Sequence, residues 1–304
     1  MKLIFVLLFI FNLIMMASEP ITPIPEYVSV NAKKVELGRE LFFDTMLSRD
    51  KTINCAACHI LQDGGDDNLC VSFGIRGQKG SINSPTVYNS VFNFRQFWDG
   101  RAANLQDQVA GPIENPKEMG YSFKELVIRL NKTFYKTKFD VIYKDGITKA
   151  NITNAIAEYE KTLITPNSAF DCYLRGDKHA ITKEQKEGYE LFKAKGCIAC
   201  HHGVNIGGNM YNKFGIFQDS KSINLGRYNV THKKCDKQYF KVPSLRNIAK
   251  TAPYFHDGRT NNLKTAVYIM AKYQLGRKIT PQEVDKIVSF LKSLNGELPK
   301  NIEP

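Results

Sequence analysis

Cys55-Ala-Ala-Cys58-His59 and Cys197-Ile-Ala-Cys200-His201 are the most informative stretches of this chain. Each matches the Cys-x-x-Cys-His signature by which c-type haem is attached. The two thiols of the signature add to the haem vinyl groups, and the histidine becomes an axial ligand of the iron. The main alternative is zinc bound by paired Cys-x-x-Cys motifs. The histidine in both motifs and the export signal described below disfavour zinc, so the sequence predicts two covalently bound haems.

The segments that precede the two motifs are similar to each other. Val35–Leu47 (VELGRELFFDTML) precedes the first motif, and Lys183–Gly196 (KEQKEGYELFKAKG) precedes the second. Each is a short amphipathic segment that contains Gly, Glu, Leu and Phe. Thr182 and Gln185 have the spacing of a capping box, and Gly196 suits a left-handed cap. We therefore expect a helix to end just before the second motif.

Other segments also carry helix signals. Ser122 and Glu125 have capping-box spacing, and Thr280-Pro281-Gln282-Glu283 predicts the start of a last helix that Gly296 ends. A further helix is predicted from apolar residues at helical spacing, namely Ile152, Ile156, Tyr159 and Leu163. Strand-like alternation is not sustained anywhere, so the predicted fold class is mainly α.

The chain is long enough for two ordinary domains, with 304 residues. The natural boundary is Thr165-Pro166-Asn167, which leaves one haem motif in each half. We therefore predict two cytochrome c-like haem domains packed against each other, one over residues 19–165 and the other over residues 166–304.

The N-terminus has the features of an export signal. Lys2 is followed by an apolar run, Leu3–Ala17, which is shorter than the ~20 residues that a membrane-spanning helix needs. Ser18 adds a second small residue at the end of the run, as at a signal-peptidase site. An uncleaved anchor is the alternative, because Met15 stands where a small residue is preferred. We predict a signal peptide over residues 1–18, a periplasmic location and no stable membrane insertion after cleavage.

The formal net charge of the chain is +12 at pH 7. The basic residues are spread along the sequence, without an arginine-rich block or a basic motif interleaved with aromatic residues. A solvated basic surface explains this pattern, and binding to nucleic acid has little support.

Three cysteines lie outside the haem motifs, namely Cys70, Cys172 and Cys235. An exported protein can pair two of them in a disulfide. The sequence does not decide between such a pair and three unpaired thiols.

The sixth position of each iron decides whether a haem transfers electrons or reacts with a ligand. Outside the predicted signal the candidate methionine ligands are Met46, Met119, Met210 and Met270. Met270 lies 69 residues after His201, a separation that suits a small cytochrome domain. Its flank, Tyr268–Lys272, also suits a core helix, so spacing alone leaves both alternatives open.

Longer blocks of the chain resemble the bacterial di-haem cytochrome c peroxidases. The blocks are LGRELFFD at Leu37–Asp44, QKGSINSPTVYN at Gln78–Asn89, FNFRQFWDGRAANLQDQVAGPI at Phe92–Ile113, TLITPNSAFDCYLRGD at Thr162–Asp177, SLRNIAKTAPYFHDG at Ser244–Gly258 and QLG at Gln274–Gly276. The resemblance implies an enzyme that reduces hydrogen peroxide to water with electrons from a small reduced cytochrome c. A homodimer is a further expectation from this family.

The resemblance also implies a division of labour between the haems. His59 would ligate the low-potential haem that reduces peroxide, and His201 with Met270 would ligate the high-potential haem that accepts electrons. Trp98, the only tryptophan, matches an indole that lies between the haems and helps electrons to pass. A lone tryptophan is also commonly a core residue, and both roles are compatible.

Further residues match the peroxide site and a calcium site of the family. Glu118 and Gln108 match the pair beside the peroxide, where a carboxylate can move a proton from the inner oxygen to the outer one and an amide can orient the peroxide. Asn83, Thr251 and Pro253 match a calcium site between the domains, which uses one side-chain oxygen and two backbone carbonyls. From residue type alone, Glu118 would be a solvated loop acid.

The sequence departs from the family pattern at Ile75. The family has a histidine there that caps the first iron in the oxidised state, and the chain has no histidine between His59 and His179. Isoleucine cannot ligate iron, so we expect the first haem to react with peroxide without prior reduction. The alternative is a di-haem electron-transfer or redox-sensing protein with little peroxidase activity. Cys70 and Met119 are the possible substitutes for the missing ligand.

Overall fold

A computed structural model describes residues 19–304, so the predicted signal peptide over residues 1–18 lies outside the described residues. The described part is mainly helical, as the sequence predicts. Its helices are α1 Ala32–Phe43, α2 Leu105–Glu114, α3 Phe123–Leu130, α4 Tyr135–Ile142, α5 Lys149–Glu160, α6 Ala169–Leu174, α7 Lys183–Lys195, α8 Tyr228–Thr231, α9 Leu263–Ile269 and α10 Pro281–Lys292. Within this part no helix has the length and apolar character required to cross a membrane.

Two pairs of helices organise the two halves of the chain. Helix α1 packs on α5, and helix α7 packs on α10. Each crossing is made at a glycine of the repeated segment. A Cβ atom on Gly38 would lie 1.9 Å from the carbonyl oxygen of Ala155, and one on Gly188 would lie 1.9 Å from that of Lys286. The repeated glycine therefore allows the same close helix crossing in both halves.

Each half has its own hydrophobic core. The first core contains Leu41, Phe42, Phe139 and Tyr159 among its fully buried residues. The second contains Phe170, Phe192, Phe290 and Leu291. Both cores are rich in aromatic rings at edge-to-face or tilted geometry, which adds to the stabilisation from buried area.

Each end of the described chain packs on the half that lies farther from it in sequence. Ile21 lies in the second core, and the amide of Ile24 donates to the carboxylate of Asp171 at 3.2 Å. At the other end, Ile302 packs on the first core, and the hydroxyl of Tyr159 donates to the carbonyl oxygen of Asn301 at 2.8 Å. These crossing ends tie the two halves together, whereas the boundary after Thr165 stays a prediction.

The predicted helix caps are largely present. Thr182 and Gln185 form a capping box at the start of α7, and Gly196 ends that helix with φ 96°. Thr280 and Glu283 form another capping box at the start of α10. The expectation for Gly296 is wrong, because α10 already ends at Lys292. A Cβ atom on Gly296 would lie 1.9 Å from the carbonyl oxygen of Thr165, so this glycine permits a close packing contact instead.

One small antiparallel sheet lies in the second half. Strands β1 Tyr211–Lys213 and β2 Tyr239–Lys241 pair, with Tyr211 opposite Lys241. Strands of three residues are too short to show an alternating pattern in the sequence. Their pairing places Lys241 beside the candidate site.

The cysteines outside the haem motifs form no disulfide within residues 19–304. Cys70 and Cys235 are exposed, and Cys172 is half-buried. The thiol of Cys70 donates to the carbonyl oxygen of Gly258 at 3.3 Å, across the contact between the two halves. The structure therefore favours three unpaired thiols over a disulfide.

Candidate haem centres

The first Cys-x-x-Cys-His motif forms a short helical turn that places its histidine for iron ligation. Asn54 caps this turn by accepting from the amide of Ala57 at 3.0 Å. The Nδ1 atom of His59 lies 3.1 Å from the carbonyl oxygen of Gly65. A hydrogen bond at Nδ1 fixes the tautomer and leaves Nε2 for a metal. Burial lowers the pKa of His59, which favours the neutral ring that ligates iron.

The second motif repeats this geometry. Its short helical turn, Cys197–Ala199, follows α7 directly. The Nδ1 atom of His201 lies 3.2 Å from the carbonyl oxygen of Ile206. Burial lowers the pKa of His201 to about 4, so this ring is also neutral at physiological pH. Both motifs therefore present two thiols and one neutral imidazole whose Nδ1 atom contacts a backbone carbonyl, which is the donor set that c-type haem requires.

A cavity of about 250 Å³ brings the predicted ligands of the second haem together. Cys197, Cys200, His201 and Met270 all line it. Met270 begins a π-helical turn, Met270–Gln274, that continues α9, and such turns are frequent at functional sites. Met270 lines the cavity and is not a member of the buried core cluster. This position is the one that the ligand role of Met270 requires, and the role itself stays a prediction.

Trp98 connects the two halves of the chain at this cavity. Its Nε1 atom donates to the carbonyl oxygen of Asn83 at 2.9 Å. Its own carbonyl oxygen accepts from the amide of Lys241 at 2.8 Å. The indole ring lies edge-on to the His256 ring, with 6.1 Å between the ring centroids. Trp98 therefore touches segments from both halves, and its place between two haems stays a prediction.

Glu118 lies on the turn that follows α2, and its carboxylate is held in place. The Nδ2 atom of Asn115 donates to Oε1 of Glu118 at 2.6 Å. Burial raises the pKa of Glu118, while the bond from Asn115 and the charge of Arg101 oppose that rise. Gln108 lies half-buried on α2 and makes no side-chain hydrogen bond to the described residues. Glu118 is thus a partly buried, oriented acid rather than a freely solvated one.

Ile75 packs directly on the turn that carries Glu118. Its amide donates to the carbonyl oxygen of Glu118 at 2.8 Å, and its side chain is buried. A Cβ atom on Gly120 would lie 2.7 Å from Cδ1 of Ile75, and one on Gly74 would lie 2.0 Å from the carbonyl oxygen of Lys117. The loop in which the family has its capping histidine therefore lies against the candidate peroxide site, with an apolar side chain.

The possible substitutes for that histidine have other partners. Cys70 contacts Gly258 in the second half, and Met119 belongs to the first core. Neither arrangement supports a role as the sixth ligand of the first iron.

The three residues predicted to bind calcium line the same cavity as Met270 and Trp98. Asn83 is buried, and its Nδ2 atom donates to the carbonyl oxygen of Leu69 at 2.8 Å, which leaves Oδ1 available. The carbonyl oxygens of Thr251 and Pro253 accept no hydrogen bond from the described backbone.

Asp66 is a cavity-lining acid that the sequence reasoning missed. It is 1% exposed, and its Oδ1 atom has no hydrogen-bond partner among the described residues. Burial raises the pKa of Asp66 to about 7. A buried carboxylate of this kind needs a compensating cation or a proton. The only hint in the sequence is that this acid lies in a glycine-rich loop a few residues after His59.

Comparisons with known proteins agree with these centres. Residues 32–179 match the family model for di-haem cytochrome c peroxidase, and residues 185–295 match that for cytochrome c. The cytochrome c551 peroxidase of Nitrosomonas europaea is 47% identical over 291 residues, which cover 94% of this chain and 87% of that protein. The cytochrome c551 peroxidase of Pseudomonas aeruginosa is 43% identical, covering 93% and 86%. The cytochrome c peroxidase Ccp of Escherichia coli is 50% identical, but the chain spans 62% of its length.

Solved structures show the same fold. A MauG-like protein associated with microbial copper homeostasis superposes with a TM-score of 0.79 and 25% identity, covering 96% of this chain and 97% of that one. The di-haem peroxidase BthA of Burkholderia thailandensis superposes with a TM-score of 0.76 at 18% identity, over 91% and 90% of the two chains. By its sequence relatives and its paired haem motifs, this chain is a member of the di-haem cytochrome c peroxidase family, a mainly helical enzyme with two c-type haems.

Proposed function

We propose that this chain reduces hydrogen peroxide to two molecules of water in the periplasm, with two protons and two electrons delivered by a small reduced cytochrome c. The observation that carries the proposal is the carboxylate of Glu118, oriented by Asn115 on a turn in the half that contains the first haem motif. A chain that only transferred electrons would have no use for an oriented acid at that place.

The two haems divide the work. Cys55, Cys58 and His59 would hold the first haem, whose iron supplies the site and the electrons for breaking the O–O bond. Cys197, Cys200, His201 and Met270 would hold the second haem, whose methionine ligand favours a high potential.

Glu118 acts as the acid–base group of the reaction. Its carboxylate takes the proton from the peroxide oxygen nearer the iron and delivers it to the outer oxygen, which then leaves as water. Transfers of this kind typically contribute about 10²–10⁴-fold to the rate. The raised pKa of Glu118 helps, because a more basic carboxylate accepts a proton more readily. Gln108 orients the peroxide through its unpaired amide.

Trp98 provides the route by which electrons cross between the halves. Its ring lines the second-haem cavity, and its Nε1 atom bonds to Asn83 of the first half. Hydrogen bonds and packed rings shorten the gaps that an electron must cross through space between the two haems.

Ile75 removes the need for reductive activation. A histidine at this position would stabilise a closed, oxidised state by binding the iron, whereas the buried isoleucine supplies no such bond. The sixth position of the first iron would therefore be free for peroxide before any electron arrives.

Electron paramagnetic resonance of the fully oxidised protein tests the proposal. We expect high-spin iron at the first haem and a reaction with peroxide in the absence of donor. Steady-state turnover with a reduced small cytochrome c then tests the complete cycle. Two low-spin signals without high-spin iron would contradict the open first haem, and absent turnover would support electron transfer or redox sensing as the function.

The proposal also includes a calcium ion between the halves. Oδ1 of Asn83 and the carbonyl oxygens of Thr251 and Pro253 are hard oxygen donors, and all three residues line one cavity. The carboxyl group of Asp66 lies in the same cavity, and its Oδ1 atom has no hydrogen-bond partner among the described residues. Calorimetric titration of the chelator-treated protein with calcium should show one site, and Asp66→Asn should weaken it. A protein without calcium affinity would contradict this part alone.

A further inference from the structure

Lys241 is a buried cation without a counter-charge. It ends strand β2, is 6% exposed and lines the cavity that contains Cys197, His201 and Met270. Within residues 19–304 its ammonium group forms neither an ion pair nor a hydrogen bond, whereas its backbone amide donates to Trp98. Burial alone lowers the pKa of Lys241 to about 8, with no contribution from a nearby acid.

Arg246 shows how this chain otherwise treats a buried cation. It is 1% exposed, and its guanidinium group donates to the carboxylate of Asp171 at 2.7 Å. Two backbone carbonyls, those of Val204 and Thr22, accept its remaining bonds at 3.0 Å. A buried charge that lacks such partners is strongly destabilising. The contrast indicates that Lys241 meets an anion that the polypeptide does not supply.

The cavity limits the choice of anion. Asp66 is the acid among the described lining residues, and it exerts no effect on the pKa of Lys241. The proposed occupant of this cavity is a haem, which brings two propionate carboxylates of its own. An ammonium group and a carboxylate form a strong, charge-assisted hydrogen bond when both are removed from water.

We propose that the ammonium group of Lys241 binds a propionate of the second haem and thereby sets the potential of that haem. This inference rests on the second haem of the proposed function. A cation on the propionate offsets negative charge near the iron and so favours the reduced state. The amide of Lys241 also donates to the carbonyl oxygen of Trp98 at 2.8 Å. Lys241 is therefore a positioning residue that fixes the edge of the second haem relative to Trp98.

Spectroelectrochemical titration of the holoprotein tests this role. In Lys241→Met, which keeps the apolar stem and removes the charge, the ratio of oxidised to reduced second haem at a fixed potential should rise about tenfold, which corresponds to ~59 mV for one electron. Lys241→Arg should keep the potential close to that of the unmodified protein. Redox-induced infrared difference spectra should show a shifted propionate band in Lys241→Met only.

Lys213 provides the matched control. It lies on the neighbouring strand β1, is exposed and lines the same cavity. Because solvent and salt screen an exposed charge, Lys213→Met should change the ratio by about twofold or less.

If Lys241→Met loses its second haem, the potential of Lys241→Gln is measured instead, since this variant keeps a hydrogen-bond donor without the charge. A potential equal to that of the unmodified protein in whichever variant retains two haems would overturn the proposal. The potential is measured without turnover, so an inactive peroxidase would still report on Lys241. Failure of the unmodified protein to bind a second haem would instead contradict the proposed function.

Discussion

The two haem-binding halves share one design on the histidine side and differ on the opposite side. In both, a helix with a glycine at its crossing point leads into a short turn that contains the two thiols. In both, a backbone carbonyl that follows within six residues binds Nδ1 of the histidine. The local sequence therefore specifies how each haem is attached.

The residues across each haem site from the histidine differ between the two halves. In the second half a π-helical turn brings Met270 to the cavity, whereas in the first half Ile75 packs on the turn of Glu118. In the proposed function, a soft sulfur ligand would close one iron for electron transfer, and an acid with an apolar neighbour would leave the other open for peroxide. Attachment and reactivity would then be specified by separate segments of the chain.

Replacing Glu118 should give the largest effect on the reactive half. We expect Glu118→Gln to lower peroxide turnover by about 10²–10⁴-fold, because the amide cannot accept the proton. Both haem spectra should remain unchanged. Turnover of the unmodified protein should also fall as the pH decreases through the raised pKa of Glu118, since the carboxylate form is lost, and the variant should lack this dependence.

Glu114→Gln is the control, because Glu114 is an exposed acid at the end of α2 that pairs with Lys149. It should keep nearly full activity. Equal turnover in Glu118→Gln and the unmodified protein would show that Glu118 is only a loop acid.

Replacing Ile75 should make the first half resemble the usual family member. Ile75→His should convert the oxidised first haem to a low-spin state. Its reaction with peroxide before reduction should slow by about tenfold or more, as expected when the competent state is the minor one. Ile75→Leu should retain the high-spin signal. Paramagnetic resonance and stopped-flow mixing measure both, and a high-spin Ile75→His protein would show that this loop does not reach the iron.

Replacing Met270 should change the potential of the second haem without opening its iron. Met270→His should remain low-spin and have a lower potential, because a methionine ligand favours the reduced iron. Met210→His is the control, since Met210 does not line the cavity. Redox titration of both variants decides the matter. An unchanged potential in Met270→His would remove Met270 from the ligand set.

Replacing the glycine at either helix crossing should destabilise the protein to a similar extent. Gly38→Ala and Gly188→Ala each place a methyl group against a backbone carbonyl, and we expect each to lower the free energy of unfolding by about 1–3 kcal/mol. Lys33→Ala, at an exposed position of α1, should have little effect. Denaturant unfolding with detection at each haem measures the loss. A loss for one glycine alone would show that the two crossings are not equivalent.

Features that depend on residues close together in the chain can be predicted from the sequence. The haem motifs, the capping boxes at Thr182 and Thr280, and the cap at Gly196 are all local, because their partners lie within four residues. Family resemblance supplied roles for Glu118 and Trp98, which composition and spacing alone would have assigned to a surface loop and a core.

Which distant residues share an environment depends on the tertiary structure. Met270 and His201 line one cavity although many residues separate them, and Gly296 packs on Thr165 instead of ending a helix. The burial of Lys241, and that of Asp66 with one oxygen lacking a partner among the described residues, are likewise invisible in the sequence. The physical reason is that burial depends on every segment packed around a side chain, whereas a motif or a helix cap needs only its own few neighbours.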